Sequence, residues 1–279
     1  VYENLFSAIA EVLGTDVVTE EVAAAWSEVY WIMADVLITY EKELYASDGV
    51  DNGDVFREVT VVDKQELTDT VTTYTLEGDL TEARPGQYTS IGVVLADGAR
   101  QLRQYSIIGQ EPGRYTIAVE TEGEVSTHLR EKVQVGDTIQ ATLAAGDLVL
   151  VDDDTPVVLV SSGIGSTPMV GMLSHLAATG SGRRATYLHA DDSEAAHAQL
   201  GQTTALLERL PEVTVAHSYR SNGELVDVAS HDIAGSDVYL CGGTDFLQAI
   251  RRDLAALPSD KAPKSVHYEL FSPNDWLLG

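Results

Sequence analysis

The spacing of apolar residues changes twice along the chain. In the first segment it is helical. Trp26, Val29, Tyr30, Met33, Val36, Leu37, Tyr40 and Leu44 form one stripe of "AWSEVYWIMADVLITYEKELY" (Ala25–Tyr45), the three-and-four repeat of an amphipathic helix. An earlier helix is expected over Val1–Leu13, stopped at Gly14. "TEE" (Thr19–Glu21) offers the second helix an N-cap and an acidic first turn. "SDGVDNGD" (Ser47–Asp54) reads as a polar, turn-rich linker.

From Val55 to about Val151 the pattern shifts to short β-branched runs broken by Gly, Pro and Asp: "FREVTVVDK", "TVTTYTLEG", "GQYTSIGVVL", "RQYSIIG", "RYTIAVETE", "DTIQATL" and "DLVLV". These predict an antiparallel sandwich or barrel, interrupted by one helix from Val125 to Lys132. Beyond it, strands alternate with helices. "PVVLVSS", "ATYLHA", "VTVAHS", "DVYLCGG" and "SVHYELF" are separated by helical stretches around Pro168–Ala178, Ala195–Leu210 and Phe246–Leu257. Such alternation predicts a doubly wound parallel sheet. The expected fold class is therefore multi-domain: an α-helical pair (1–52), an antiparallel β-barrel (53–152) and an α/β domain (153–279).

Composition narrows the partners. The 279 residues have room for about two domains, and the hydrophobic fraction, 44%, is enough for ordinary cores. A net charge of −27 disfavours nucleic acid and anionic membranes. The first 52 residues hold eleven acidic side chains and one lysine. This is either a solvated, self-repelling surface or a face for a basic partner. No apolar run approaches the roughly 18 residues of a membrane span and no cleavable leader is visible, so no membrane partner is expected. Val, not Met, stands first, which fits the later part of a longer chain. The lone cysteine, Cys241, excludes an internal disulfide and fits a reducing, cytoplasmic setting. None of the seven histidines has a partner at metal-binding spacing, so no metal site is expected and they read as surface or core residues.

Four stretches carry candidate chemistry. In "VVLVSSGIGSTPMVGML" (Val157–Leu173) a buried strand runs into Gly163 and Gly165, which allow a tight turn and close approach to a phosphate. Ser166 or Thr167 can cap the helix, Pro168 suits its first turn, and the free amides of that turn can meet an anion. The stretch reads as a nucleotide loop or as an ordinary strand-turn-helix connection. In "RQYSI" (Arg103–Ile107), strand alternation puts Arg103, Tyr105 and Ile107 on one face and Gln104 and Ser106 on the other. An anionic, planar ligand would find a cation, an aromatic ring and a hydroxyl there; a purely structural strand is the other reading. "GEVSTHL" (Gly123–Leu129) is either a second anion site, with Gly123 loosening the turn and Ser126 or Thr127 at the start of a short helix, Val125 beside them, or a capped surface helix. In "YLCGGTDF" (Tyr239–Phe246), Cys241 and Gly242 end a strand where open parallel sheets bind ligands, and small residues there leave room for a nicotinamide ring. A buried structural cysteine is the alternative.

Taken in order, "PGQY", "RQYSI", "GEVSTHL", "VGD", "AAGDL", "DDTPVVLVSSGIGSTPM", "YLCGG" and "HYELFSP" resemble the ferredoxin-reductase superfamily, and within it the flavohaemoglobins, nitric oxide dioxygenases of bacteria and fungi. The resemblance runs the whole chain. It implies an FAD-binding β-barrel, then an NAD-binding α/β domain, with a globin ahead of both. Tyr88, Arg103, Gln104, Tyr105 and Ser106 match the FAD contacts. Gly163, Ile164, Gly165, Ser166, Thr167 and Pro168 match the dinucleotide loop, and Leu270, Phe271, Ser272 and Pro273 the segment covering the flavin. Ser272 stands where the family usually has Gly, Cys-Gly-Gly replaces Cys-Gly-Pro, and Thr127 replaces an Asn. The opening helices resemble the last two of the globin. Glu41 then matches the glutamate that orients the proximal histidine, yet no histidine precedes His128.

The resemblance implies that NADH reduces FAD by hydride transfer, with Ser106 and Tyr105 at the flavin. Single electrons then pass to haem iron, with Glu269 at the flavin–haem junction. The partners implied are NADH and a haem-globin domain or other one-electron acceptor, with haem only in a full-length form. Asp191 and Asp192 follow the second strand of the α/β domain, where the 2′-phosphate of NADPH would need a cation, and this favours NADH. Arg220 is the cation that could come near. Two rivals stand beside this reading: a stand-alone NADH:flavin or ferric reductase lacking haem, and a haem or oxygen-binding protein without a reductase role.

Overall fold

The structure, a computed structural model, describes residues 1–47, 50–51, 53–95 and 98–271. It divides into two compact units, Val1–Val55 and Phe56–Gly279.

The first unit is a helical pair, α1 (Tyr2–Leu13) and α2 (Glu20–Ser47). Gly14 ends α1 in a positive-φ conformation (φ 78°), and its N–H reaches the Ala10 carbonyl. Thr19 Oγ1 accepts from the Val22 N–H, as the N-cap reading expects. The helices meet through an aromatic knot: the Tyr2 ring lies 4.6 Å from Phe6, 5.1 Å from Tyr30 and 5.3 Å from Trp31. Tyr2 Oη and Ser27 Oγ are 2.7 Å apart. The remaining stripe of α2 stays open within this unit, with Trp26, Met33, Val36, Leu37 and Tyr40 all about 60% exposed or more. One expectation is corrected here. The stretch Glu20–Ala46 of α2 is long and apolar enough to cross a membrane by length and composition, with a mean hydropathy of 1.3 over its best window. Glu28 and Asp35 interrupt any continuous apolar run but do not lower the average enough to exclude it. Such a helix near an N-terminus is weak evidence of membrane insertion.

The second unit begins with six antiparallel strands: β1 (Phe56–Glu66), β2 (Val71–Glu77), β3 (Tyr88–Val94), β4 (Arg100–Glu111), β5 (Arg114–Glu120) and β6 (Thr138–Thr142). They close in the order β1-β2-β5-β4-β3-β6, which leaves no unpaired strand edge. Alternate residues point inward, so Val59, Val61, Tyr74, Leu76, Ile91, Ile117 and Val119 fill the interior. Each such aliphatic side chain contributes about 1.5–3 kcal/mol on burial. Helix α3 (Glu124–Lys132) adds Val125 and Leu129 to the same core. Its C-terminus is capped from β1, where Lys64 Nζ donates to the carbonyls of Arg130 and Val133, both at 2.7 Å.

Five parallel strands follow, β7 (Val157–Ser162), β8 (Ala185–Asp191), β9 (Val213–Tyr219), β10 (Asp237–Gly242) and β11 (Ser265–Leu270), in the order β11-β10-β7-β8-β9. Helices α4 (Ser166–Thr179) and α5 (Leu200–Leu207) cover one face and α6 (Thr244–Ala255) the other. Burial on both faces explains the continuous apolar runs of β7 and β10. Barrel and sheet meet where α4 lies along β4. Val170 packs on Ile108, and Ser174 Oγ donates to the Ile108 carbonyl at 2.9 Å. Gly171 has no room for a side chain against the Ile107 carbonyl.

Two elements differ from the sequence reading. "DLVLV" is not a strand; Leu148 and Leu150 bury their side chains beneath α4 while the guanidinium of Arg183 holds the connector through the carbonyls of Val151 and Thr155, both at 2.7 Å. Helix α5 begins at Leu200, later than its apolar spacing suggested, because 193–199 form turns over the end of β8.

Candidate flavin and dinucleotide site

Strand β7 lies at the centre of the sheet with β8 and β10 on either side, and the strand order reverses there, β8 and β9 adding on one side and β10 and β11 on the other. Crevices at such reversal points, beyond the carboxyl ends of the strands, are where open α/β sheets bind ligands. Both glycine-rich stretches fall there. A 3-10 turn, Gly163–Gly165, leaves β7, and β10 ends at Cys241-Gly242. The two are in direct contact: a Cβ on Gly165 would lie 2.6 Å from the Cys241 carbonyl oxygen and 2.8 Å from Gly242 Cα. Gly163 has φ +51° and open space where a side chain would project.

The expected cap is absent. Ser166 and Thr167 are both buried, and neither hydroxyl caps α4. Ser166 Oγ donates to Gln199 Oε1 at 2.6 Å, and Thr167 Oγ1 to the Ile164 carbonyl at 2.9 Å. The Ser166 N–H turns back to the carbonyls of Gly163 and Ile164, and Pro168 has no N–H, so an anion here would be met by the glycine turn and the positive end of the helix. Pro168 is buried in the first turn as expected. Ile164, half-buried, packs with Ile108 and Val170 and so brings the loop onto β4.

On the barrel, the register pairs Tyr88 with Ser106 and Ser90 with Gln104, so Tyr88, Gln104 and Ser106 share a face. Gln104 Nε2 lies 3.5 Å from Tyr88 Oη. Ser106 is 2% exposed, and its hydroxyl has no partner among the described residues. A buried hydroxyl left this way costs about 1–3 kcal/mol, so it fits a polar ring atom of a bound flavin. Tyr105 is half-buried against the barrel core, and burial pushes its phenol well up. Arg103 is exposed, and among the described residues its guanidinium donates to the Leu102 carbonyl and to Gln101 Oε1. In α3, Ser126 Oγ accepts from the N–H groups of Glu122 and Gly123 at 2.9 and 3.0 Å. Val125 faces the core, and Gly123 is open to an incoming group.

The in-register residues Glu269, Cys241, Ser161, His189 and His217 form one polar row across all five strands. Burial raises the carboxyl of Glu269, with Asp147 adding repulsion. Burial and then Glu269 raise the Cys241 thiol, which suits a packed residue better than a nucleophile. Ser161 Oγ lies 2.9 Å from His189 Nδ1. The ring of His197 sits 4.0 Å from His189 and 5.0 Å from His217. Burial and these two neighbours push His197 down to about 3. This imidazole cluster was not anticipated from the sequence; its members come from two strands and a turn. Among the described residues no group of three or more His, Cys, Asp or Glu is placed to hold a metal.

Leu270 pairs with Gly242 and Phe271 N–H donates to the Gly242 carbonyl at 3.2 Å, so the chain leaves the sheet beside the Gly163–Gly165 turn. Ser272 and Pro273 lie outside the described residues. Glu41 lies exposed on α2 and accepts from Tyr45 Oη at 3.1 Å.

No protein-family model matches the chain. Individual relatives do. It is 35% identical over 302 residues to the flavohemoprotein of Bordetella pertussis, covering 96% of this chain and 74% of that protein. It is 32% identical to that of Bacillus subtilis, with 96% and 73% covered. The chain belongs to the flavohaemoprotein family. Among solved structures it superposes on the flavohaemoglobin of Malassezia yamatoensis with bound FAD and haem at a TM-score of 0.85, with 30% identity over 97% of this chain and 73% of that one. The FAD/NAD-binding domain of the Vibrio cholerae nitric oxide dioxygenase aligns at 0.70, with 32% identity over 78% of this chain and 99% of its own. Phthalate dioxygenase reductase, at 22% identity, shares the fold. Family and architecture together make the chain an NAD(P)H-dependent flavin oxidoreductase that passes electrons onward.

Proposed function

We propose that the chain is the reductase part of a flavohaemoglobin, drawing hydride from NADH and delivering single electrons to a haem iron for nitric oxide detoxification. The observation that supports this reading is the packing of Ile164, in the turn after β7, against Ile108 of β4, the strand that also carries the unpartnered Ser106 hydroxyl. Bound FAD would supply the chemistry itself, taking two electrons as hydride and releasing them singly. The protein's own part is positional. Tyr88, Gln104 and Ser106 would hold the flavin, with the hydroxyl of Ser106 donating to a ring atom and Tyr105 steadying the strand from the core side. Gly123 and the first turn of α3 would receive its phosphates, with Arg103 supplying positive charge. The turn Gly163–Gly165, at the N-terminal end of α4, would receive the dinucleotide pyrophosphate. Cys241 and Gly242 would leave space for the nicotinamide, and Leu270 and Phe271 would close over the flavin.

NADH fits better than NADPH. Arg220, the cation nearest in sequence to the end of β9, is engaged by Asp192 at 2.6 Å. Glu120, raised first by burial, also feels Glu122, Asp191 and Asp192. This acidic surround opposes a 2′-phosphate.

Helices α1 and α2 are read as the last two helices of the globin, with Glu41 positioned to orient a proximal histidine supplied by preceding chain. Their open apolar stripe supports this reading. A second reading is reduction of a ferric complex or free flavin by the chain alone, which needs only the barrel and the α/β domain. Kinetics separate them. Ferricyanide reduction by NADH with no electron transfer to an added haem-globin domain supports the second reading; NADH-driven nitric oxide consumption once that domain is supplied supports the first.

A further inference from the structure

We propose that Gln199, far from the glycine-rich stretch in sequence, is a positioning residue that sets the shape of the dinucleotide loop through Ser166. The proposal rests on the reading of Gly163–Thr167 as that loop. Gln199 is 2% exposed, and Ser166, the first residue of α4, is fully buried. The hydrogen bond between them, Ser166 Oγ to Gln199 Oε1 at 2.6 Å, is the one side-chain tether that the Ser166 hydroxyl makes among the described residues. It turns the hydroxyl into the protein, where it cannot compete with a ligand for the amides of its own helix turn.

Gln199 is itself held firmly. Its carbonyl accepts from both the N–H and the hydroxyl of Thr203, at 2.8 and 2.9 Å, so it anchors the start of α5. Two residues earlier, His197 is wedged between the rings of His189 and His217, with Nδ1 3.3 Å from Tyr219 Oη. The ends of β8 and β9 therefore fix the turn over 193–199, the turn fixes Gln199, and Gln199 fixes the first residue after the glycines. A loop that must present several amides to one pyrophosphate gains affinity from being held in advance. Gln199 Nε2 has no partner among the described residues.

The test uses ADP-ribose, which carries the pyrophosphate but transfers no hydride. Gln199→Met keeps the shape and removes the acceptor; Ser166→Ala removes the donor from the other end and serves if the first variant folds poorly. Each is expected to weaken ADP-ribose binding by calorimetry about fivefold, the worth of one hydrogen bond. The double variant should be no weaker than the weaker single, because both break the same link. KM for NADH should rise in parallel while kcat at saturating NADH and FAD content hold. A general structural defect would instead lower kcat and FAD content and make the two effects additive, which overturns the proposal. Gly163→Val is the control, placing a β-branched residue at φ +51°. If it abolishes ADP-ribose binding while Gln199→Met and Ser166→Ala leave it unchanged, the positioning role is wrong and the loop reading stands. If Gly163→Val has no effect, the loop reading is wrong and the proposal falls with it.

Discussion

Glu269 stands directly beside Cys241 in the parallel register of β11 and β10, where the Gly163–Gly165 turn meets the sheet. Each is raised above its ordinary value chiefly by burial. A carboxyl whose folded value lies above the unfolded one favours folding below the ordinary value, 4.5, and loses that contribution as pH rises through the folded value. Glu269→Gln should therefore match the native chain in stability at low pH and exceed it as pH rises above 4.5, by at most about 1.4 kcal/mol per pH unit across the interval. Urea unfolding at a series of pH values reads this directly. Equal pH profiles for the two proteins would contradict it.

A second expectation concerns close approach. Gly165→Ala places a methyl 2.6 Å from the Cys241 carbonyl, and both contacting groups are backbone. The loop and the end of β10 must separate, at a cost of about 1–3 kcal/mol. The expected outcome is a lower midpoint in denaturant together with a raised KM for NADH, and no change in FAD content.

The imidazole cluster predicts acid sensitivity. His197 is held near 3 against an ordinary 6.5, so the unfolded chain binds more protons between those values. Stability conferred by the neutral ring is complete above 6.5 and declines as pH falls toward 3, by up to about 1.4 kcal/mol per unit. His217 is lowered too and adds to the slope. In His197→Phe the acid limb of the stability profile should flatten, as followed by thermal unfolding from neutral to acid pH.

Coenzyme preference gives a fourth. Asp192 engages Arg220 at 2.6 Å, with both side chains exposed. Asp192→Ser frees the guanidinium for a 2′-phosphate and removes a repelling charge, so the ratio of kcat/KM for NADH over NADPH should fall about tenfold. An unchanged ratio would place the adenosine end elsewhere.

Much of this architecture was legible before any coordinates. The switch of apolar spacing from helical to alternating marks the passage from α2 to β1, and Gly163–Gly165 announces the turn between β7 and α4. Three features were not legible, each because it depends on tertiary register. "DLVLV" has strand composition, but its backbone pairs with the barrel loop and with Arg183 instead of a neighbouring strand. Ser166 looks like a helix cap, yet its hydroxyl points to Gln199, which lies far along the chain. Ser161, His189, His217, Cys241 and Glu269 occupy equivalent positions near the ends of their strands, but the row appears only once the strand order is known. Ser106 shows the converse: local alternation already set it apart from Arg103 and Tyr105, and the register with Tyr88 explains why its hydroxyl lies in a sheltered face.

The central claim is that this chain passes hydride from NADH to a bound flavin. Anaerobic titration of the purified, FAD-loaded chain with NADH, followed by visible absorption, tests it most directly. The account predicts that one equivalent of NADH bleaches the oxidised-flavin band, and that Gly165→Ala requires a higher NADH concentration for the same bleaching. A chain that retains no FAD, or whose flavin band is untouched by excess NADH, would contradict it.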